Sequence, residues 1–345
     1  MNNVQRIFLP ESVRPLFLFF LCWLWAPVGL SADNAKDQMV YSEIMPLAHK
    51  SLLLDIGRAG NVLVAVGERG HVLISEDSGK SWKQAAQVPT RATLTAVYGV
   101  GKNIWAVGHD TTIIHSGDGG TTWEVQFSDP AREAPLLDVY FSDAHTGYAI
   151  GAYGAYLTTA DGGQTWHDGV LVDDDDFHLN AIIPLQADGL FIVAEGGTAY
   201  RSDDAGLTWK RLHLPYSGSM FGALYLSERI ITFGLRGHVF ASSDNGETWE
   251  TLLSPVSSSL FGGTILGANS AVLVGANGTI LVLKGNQFTS QGQPLGGEDL
   301  SAVLAVTSQR LIITGEGGIH LLKLTADVNK ATVTNSEQTE NADNG

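Results

Sequence analysis

Ser116-Gly117-Asp118-Gly119-Gly120-Thr121-Thr122-Trp123 is one of five copies of a single pattern, Ser/Thr-x-Asp-x-Gly-x-Ser/Thr-Trp. The others are Ser75–Trp82, Thr159–Trp166, Ser202–Trp209 and Ser242–Trp249. Their tryptophans are 41, 43, 43 and 40 residues apart. A period near forty with strand-like content between the copies implies repeated supersecondary units. Within each copy, Asp accepts backbone N–H groups of a tight turn, and Gly takes a positive φ without steric cost. Trp supplies a large apolar surface for the neighbouring unit. Asp77, Trp82, Asp118, Trp123, Asp161, Trp166, Asp204, Trp209, Asp244 and Trp249 are therefore read as scaffold. Five copies on an outer rim cannot converge on one reacting atom.

A second signal extends the count. Short apolar strands end in Gly-x-x-Gly at Gly67, Gly151, Gly234, Gly275 and Gly315, with imperfect copies at Gly108 and Ala194. Seven units at this spacing predict an all-β chain forming a seven-bladed β-propeller with four-stranded blades. In unit one the strands are expected at residues 52–56, 62–66, 71–75 and 82–86, each short, apolar and bounded by turn formers. Units six and seven lack the Asp motif. Unit seven shows three strands, at residues 300–306, 310–314 and 319–324, before the chain turns polar. Residues 39–46 precede Leu52 much as residues 81–89 precede Leu94, so the N-terminal segment is expected to complete the last blade and close the ring.

Basic residues Arg6 and Arg14, an apolar run from Leu16 to Leu30, and Ser31-Ala32 read as a secretory signal over residues 1–32. The propeller is assigned to residues 33–326 and a disordered polar tail to 327–345. Cleavage after Ala32 would leave 18 basic and 35 acidic residues and no cysteine. Export to the periplasm is the expectation, or to a thylakoid lumen in a photosynthetic organism. Disulfides and thiolate chemistry are excluded from such a mature chain. Its acidity argues against nucleic acid and anionic membrane surfaces as partners. No metal or cofactor is expected: Asp173–Asp176 lacks calcium-loop spacing, and the ten histidines form no ligand pair.

The five Asp motifs, the seven units and the Gly-x-x-Gly turns together resemble the photosystem II stability and assembly factor family of seven-bladed propellers, over about residues 39–324. Similar Asp motifs also occur in sialidases, xyloglucan hydrolases and sortilin-type receptors. The resemblance implies a non-enzymatic scaffold or chaperone that holds a membrane-protein intermediate from the outside, and a monomer is expected.

Propeller topology places the turns between second and third strands on one face, with the connections between blades. That face should carry Arg69, Arg91, Arg132 and Arg236 together with Glu68, Asp110, Tyr153, Glu195 and Glu316. Mixed charge with Arg and Tyr suits a protein interface, here one that receives an acidic loop of an envelope protein. The alternative is a sialidase-like glycoside hydrolase on the same fold. It is disfavoured because the Phe-Arg-Ile-Pro signature and an Arg in the first strand are missing. Trp105 is also the only Trp outside the motifs and the signal.

Overall fold

The structure is a computed structural model that describes residues 39–172, 175–324 and 331–333. The expected signal and its Ala32 boundary, Asp173, Asp174 and most of the polar tail lie outside these residues.

Seven four-stranded antiparallel sheets form, each with its strands paired in chain order. Strands are named A to D from the inside of each blade outward. Blade one comprises Leu53–Ala59, Val62–Gly67, Val72–Ser75 and Lys83–Gln84. Blade seven comprises Leu300–Thr307, Arg310–Gly315, Gly318–Leu324 and Ala331–Val333. B strands such as Val62–Gly67 and Gly147–Gly151 are almost wholly buried, which matches their continuous apolar runs. The D strands are shorter and polar because they face solvent.

The core lies in the gaps between blades. Seven apolar clusters of buried residues occur among the described residues, and each joins two adjacent blades. Leu53, Ile56 and Leu63 of blade one meet Ala302 and Ile312 of blade seven in one of them. Each fully buried Leu or Ile contributes about 1.5–3 kcal/mol. Blade seven thus closes the ring by packing, and Arg310 adds a hydrogen bond from Nη2 to the Ser78 carbonyl at 3.1 Å.

This differs from the expected closure by the N-terminal segment. Blade seven takes its outer strand from Ala331–Val333, paired with Leu322–Leu324, within the stretch read from sequence as a polar tail. Residues 39–47 instead lie on blade one as an irregular strap. Blade one takes up the strap's backbone groups directly. Ser42 N–H donates to Val88 O at 2.9 Å and Met45 N–H donates to Gln84 Oε1 at 2.8 Å. Gln84 Nε2 donates back to Glu43 O, and Arg91 Nε donates to Tyr41 O, both at 2.8 Å.

The Asp motifs form as the chemistry requires. Asp118 Oδ1 accepts the N–H groups of Thr121 and Thr122 and the Ser116 hydroxyl, at 2.8–3.0 Å. Its Oδ2 accepts the Thr122 hydroxyl at 2.7 Å. The Thr122 hydrogen bonds hold the carboxyl down to about 2. Gly120 sits against Ile74 of the preceding blade, with no room for a side chain.

Candidate partner-binding face

The turns joining strands B and C define one face, called the crown here. In blade one, His71 N–H donates to Glu68 O and Gly67 N–H donates to His71 O, closing the turn Gly67-Glu68-Arg69-Gly70. A Cβ on Gly70 would run into the Thr90 carbonyl of the connection to blade two. The same contact recurs at Gly154 with Asp175, Gly197 with Tyr216, Gly237 with Val256, Gly278 with Gly296 and Gly318 with His49. Only blade two departs: Thr111 stands there, and its hydroxyl donates to the Ala134 carbonyl at 2.9 Å. The last contact, Gly318 against His49, continues the ring from blade seven to blade one.

The residue before that glycine is thrown outward in a left-handed conformation. Arg69, Asp110, Tyr153, Arg236 and Asn277 all have φ between 54° and 58°, and Gly196 has φ 65°. All six are exposed. Non-glycine residues are uncommon in this region, and each costs about 1–2 kcal/mol there. Four of the residues expected at the interface therefore occupy one repeat position and form a ring of outward side chains.

The arginines do not gather into one patch. Arg132 is bound by Asp129 at 2.8 Å and by both Asp168 oxygens. These partners raise its pKa far above the usual guanidinium value. Arg91 pairs with Glu43 at 2.9 Å and is tied to the strap. Arg69 reaches Glu68 only at 4.0 Å, with two thirds of its side chain exposed. Arg236 has no side-chain partner among the described residues. The two arginines left available thus stand on blades one and five. Glu195 accepts the His178 N–H at 3.0 Å, while Tyr153 packs edge-on against the His178 ring. Glu316 accepts the Asp299 N–H at 3.1 Å. Asp175, from the acidic run, is held by Arg211 at 2.8 Å and the Tyr200 hydroxyl at 2.9 Å.

The sequence reading missed what the ring surrounds. The central channel opens on the crown through a mouth of about 410 Å³. Half-buried Leu52, Leu54, Leu137, Phe221 and Phe261 line it, with Asp299 and Glu316 at the edge. A register shift near the start of each A strand marks the level at which these side chains enter the channel. Below the mouth lies a cavity of about 350 Å³ whose lining includes Asp55 and Asp138. Asp55 Oδ2 accepts the Val97 N–H of blade two, and Asp138 Oδ2 accepts the Ile182 N–H of blade four, both at 2.8 Å. Burial raises Asp55 to about 6 and Asp138 to about 7, and repulsion from Asp55 adds to the latter. The available signal was Leu-Leu-Asp at Leu53–Asp55 and Leu136–Asp138, the same point of two A strands.

A hydrolase site does not assemble from the residues considered for it. Trp105 is fully buried, stacked on Phe141 at 3.5 Å, and its Nε1 donates to Gly162 O. Contrary to expectation the first strand, Leu53–Ala59, does carry an arginine, Arg58. However, Arg58 and Arg310, two further arginines available to such a site, lie at the A–B ends of their strands, on the face opposite Arg69 and Arg236.

Residues 126–222 match the family model described as Photosynthesis system II assembly factor YCF48. No curated protein matches the chain. A solved structure described as YCF48 bound to D1 peptide is similar at 21% identity and TM-score 0.68, covering 80% of this chain and 94% of that one. YCF48 from Cyanidioschyzon merolae is similar at 17% identity and TM-score 0.67, covering 83% and 98%. A GH74 enzyme of Niastella koreensis is similar at 13% identity and TM-score 0.65, but this chain covers only 54% of it. These likenesses show the fold, and the family pattern falls on blades three and four with their flanking strands. The chain is a seven-bladed β-propeller in which residues 126–222 carry the pattern of that assembly-factor family.

Proposed function

We propose that this protein is a non-catalytic assembly or stability factor that holds a segment of a membrane-protein partner against its crown. The observation that carries this is the ring of exposed left-handed side chains, Arg69, Asp110, Tyr153, Arg236 and Asn277, around an apolar mouth. Backbone cost accepted at a repeated, solvent-facing position points to use of those side chains. Apolar anchors at the centre with polar residues around them are the anatomy of a protein-binding surface. The similar chain described as bound to a D1 peptide supports a membrane-protein segment as the ligand. The protein acts as an exported monomer in this reading, in the periplasm or a thylakoid lumen. The buried Trp105 and the split arginines favour it over glycoside hydrolysis.

The test is site-specific photo-crosslinking in native envelope. A crosslinking residue at Tyr153 on the crown is compared with one at Lys80 on the Asp-motif face, both exposed. One dominant membrane protein captured from position 153 and not from 80 is expected. Equal capture from both faces, or none alongside sugar release from a glycan panel, overturns the proposal.

A further inference from the structure

Six of the eleven large hydrophobic side chains exposed among the described residues belong to the strap of residues 39–47. Met39, Val40, Tyr41, Ile44, Met45 and Leu47 are each between 37% and 60% exposed. Scattered surface hydrophobics need no explanation, but such a concentration marks an interaction surface. The strap owes this to how it is attached. Blade one binds it by main chain, at Tyr41 O, Ser42 N, Glu43 O and Met45 N, and by the Ser42 hydroxyl, which donates to Arg69 O at 2.9 Å. Its apolar side chains are left facing outward.

We propose that the strap docks this protein onto the interfacial region of a lipid bilayer. Two features favour lipid over a protein strand. First, blade one already holds one main-chain group at each of positions 41, 42, 43 and 45, which leaves less for a pairing strand to use. An irregular segment with part of its backbone bonded to blade one and its apolar side chains outward can lie at the headgroup–acyl boundary, where water still serves the remaining backbone groups. Second, bases flank it. Arg69 and Lys50 lie exposed beside it, and Arg91 touches it but is paired with Glu43, with Glu68 near Arg69. Three bases to two acids is a local reversal in a chain of net charge −16. Long basic side chains reach headgroup phosphates while apolar neighbours insert, and Tyr41 suits the headgroup level. The acidity of the whole chain disfavours other approaches to an anionic surface. This inference stands on the strap alone and does not require the crown to bind a partner.

The test uses the full chain carrying Cys22→Ser, with an environment-sensitive fluorophore on Ile44→Cys or, as control, on Leu207→Cys. Leu207 is 83% exposed on the opposite face. Vesicles of phosphatidylcholine, with and without phosphatidylglycerol, should blue-shift the label at 44 and leave that at 207 unchanged. Ile44→Asp with Leu47→Asp should weaken the strap's contribution by about tenfold or more, read as loss of the shift from a label at Met39→Cys. An unshifted label at 44 on vesicle-bound protein assigns binding to the upstream apolar run and overturns the proposal. So does protein that stays unbound, or a shift seen only with vesicles carrying a membrane protein. Thermal melts confirm that each variant folds.

Discussion

The Asp138 carboxylate of blade three accepts the backbone N–H of Ile182 in blade four at 2.8 Å, and Asp55 does the same for Val97 between blades one and two. The inner edges of adjacent blades have no strand partner, so these side chains satisfy N–H groups that the ladder leaves open. Elsewhere Thr264 accepts the Ala305 N–H in the same way, while Thr95 and Asn180 bridge blades by donating to the Leu136 and Met220 carbonyls. The carboxylates do so half-buried in the channel wall, where desolvation raises their pKa values to about 6 and about 7.

The pH dependence follows. A carboxyl whose folded pKa exceeds its unfolded value of about 3.9 binds its proton more tightly when folded. Its favourable term is full below the unfolded pKa and is lost as pH rises through the folded one. Thermal stability should therefore fall as pH rises from about 4 to about 7. Asp118 and Asp244, held at about 2, act the other way, and their term is lost as pH falls from about 4 toward 2. Melting temperature should peak on the acid side of neutrality. Asp55→Asn with Asp138→Asn should flatten the limb above the peak, read by calorimetry across pH.

Removing the buried hydroxyl of Ser116 should cost about 1–3 kcal/mol. Ser116 Oγ accepts the Gly120 N–H at 2.9 Å in a buried place, and Ser116→Ala leaves that donor unpaired. Urea unfolding should show a lower midpoint with an unchanged slope.

At the crown, stability and binding should part company. Arg69→Gly relieves a left-handed arginine and should stabilise the fold by up to about 1 kcal/mol, less what glycine gives back to the unfolded chain. Partner capture should fall in the same variant. Gly70→Ala should instead destabilise by about 2 kcal/mol or more, because its Cβ meets the Thr90 carbonyl at φ +68°. Equilibrium unfolding and crosslinking yield, measured together, check both.

Charge reversal at Arg69 and Arg236 should abolish capture of an acidic segment while moving the melting temperature by only a few degrees, since exposed ion pairs contribute roughly 0–1 kcal/mol. Replacing Phe221 and Phe261 with Ala at the mouth should weaken capture independently of charge. Unchanged capture in the first variant with loss in the second would move the contact from the ring to the mouth.

The repeats made the architecture readable in advance. Asp motifs and Gly-x-x-Gly turns are local devices, closed by hydrogen bonds that span four residues or fewer, such as Gly67 N–H to His71 O and Thr122 N–H to Asp118, so their spacing alone counts blades and sorts turns onto faces. The position of Tyr153, Arg69 and Arg236 on the crown follows from that periodicity. Which arginines remain available does not. Arg132 meets Asp168 across 36 residues and Arg91 meets Tyr41 across 50, and nothing local announces either.

The amino-acid sequence by itself determined seven units, four strands in each and the face on which each turn lies, because strand periodicity and turn chemistry are short-range. Tertiary structure decided how the ring closes, what lines its channel and which side chains stay exposed. Closure depends on Leu53, Leu63 and Ile312 meeting across the whole chain, and the strap's backbone bonds to blade one, not to blade seven. The channel's two carboxylates owe their shifted pKa values to burial that exists only when all seven blades stand around them.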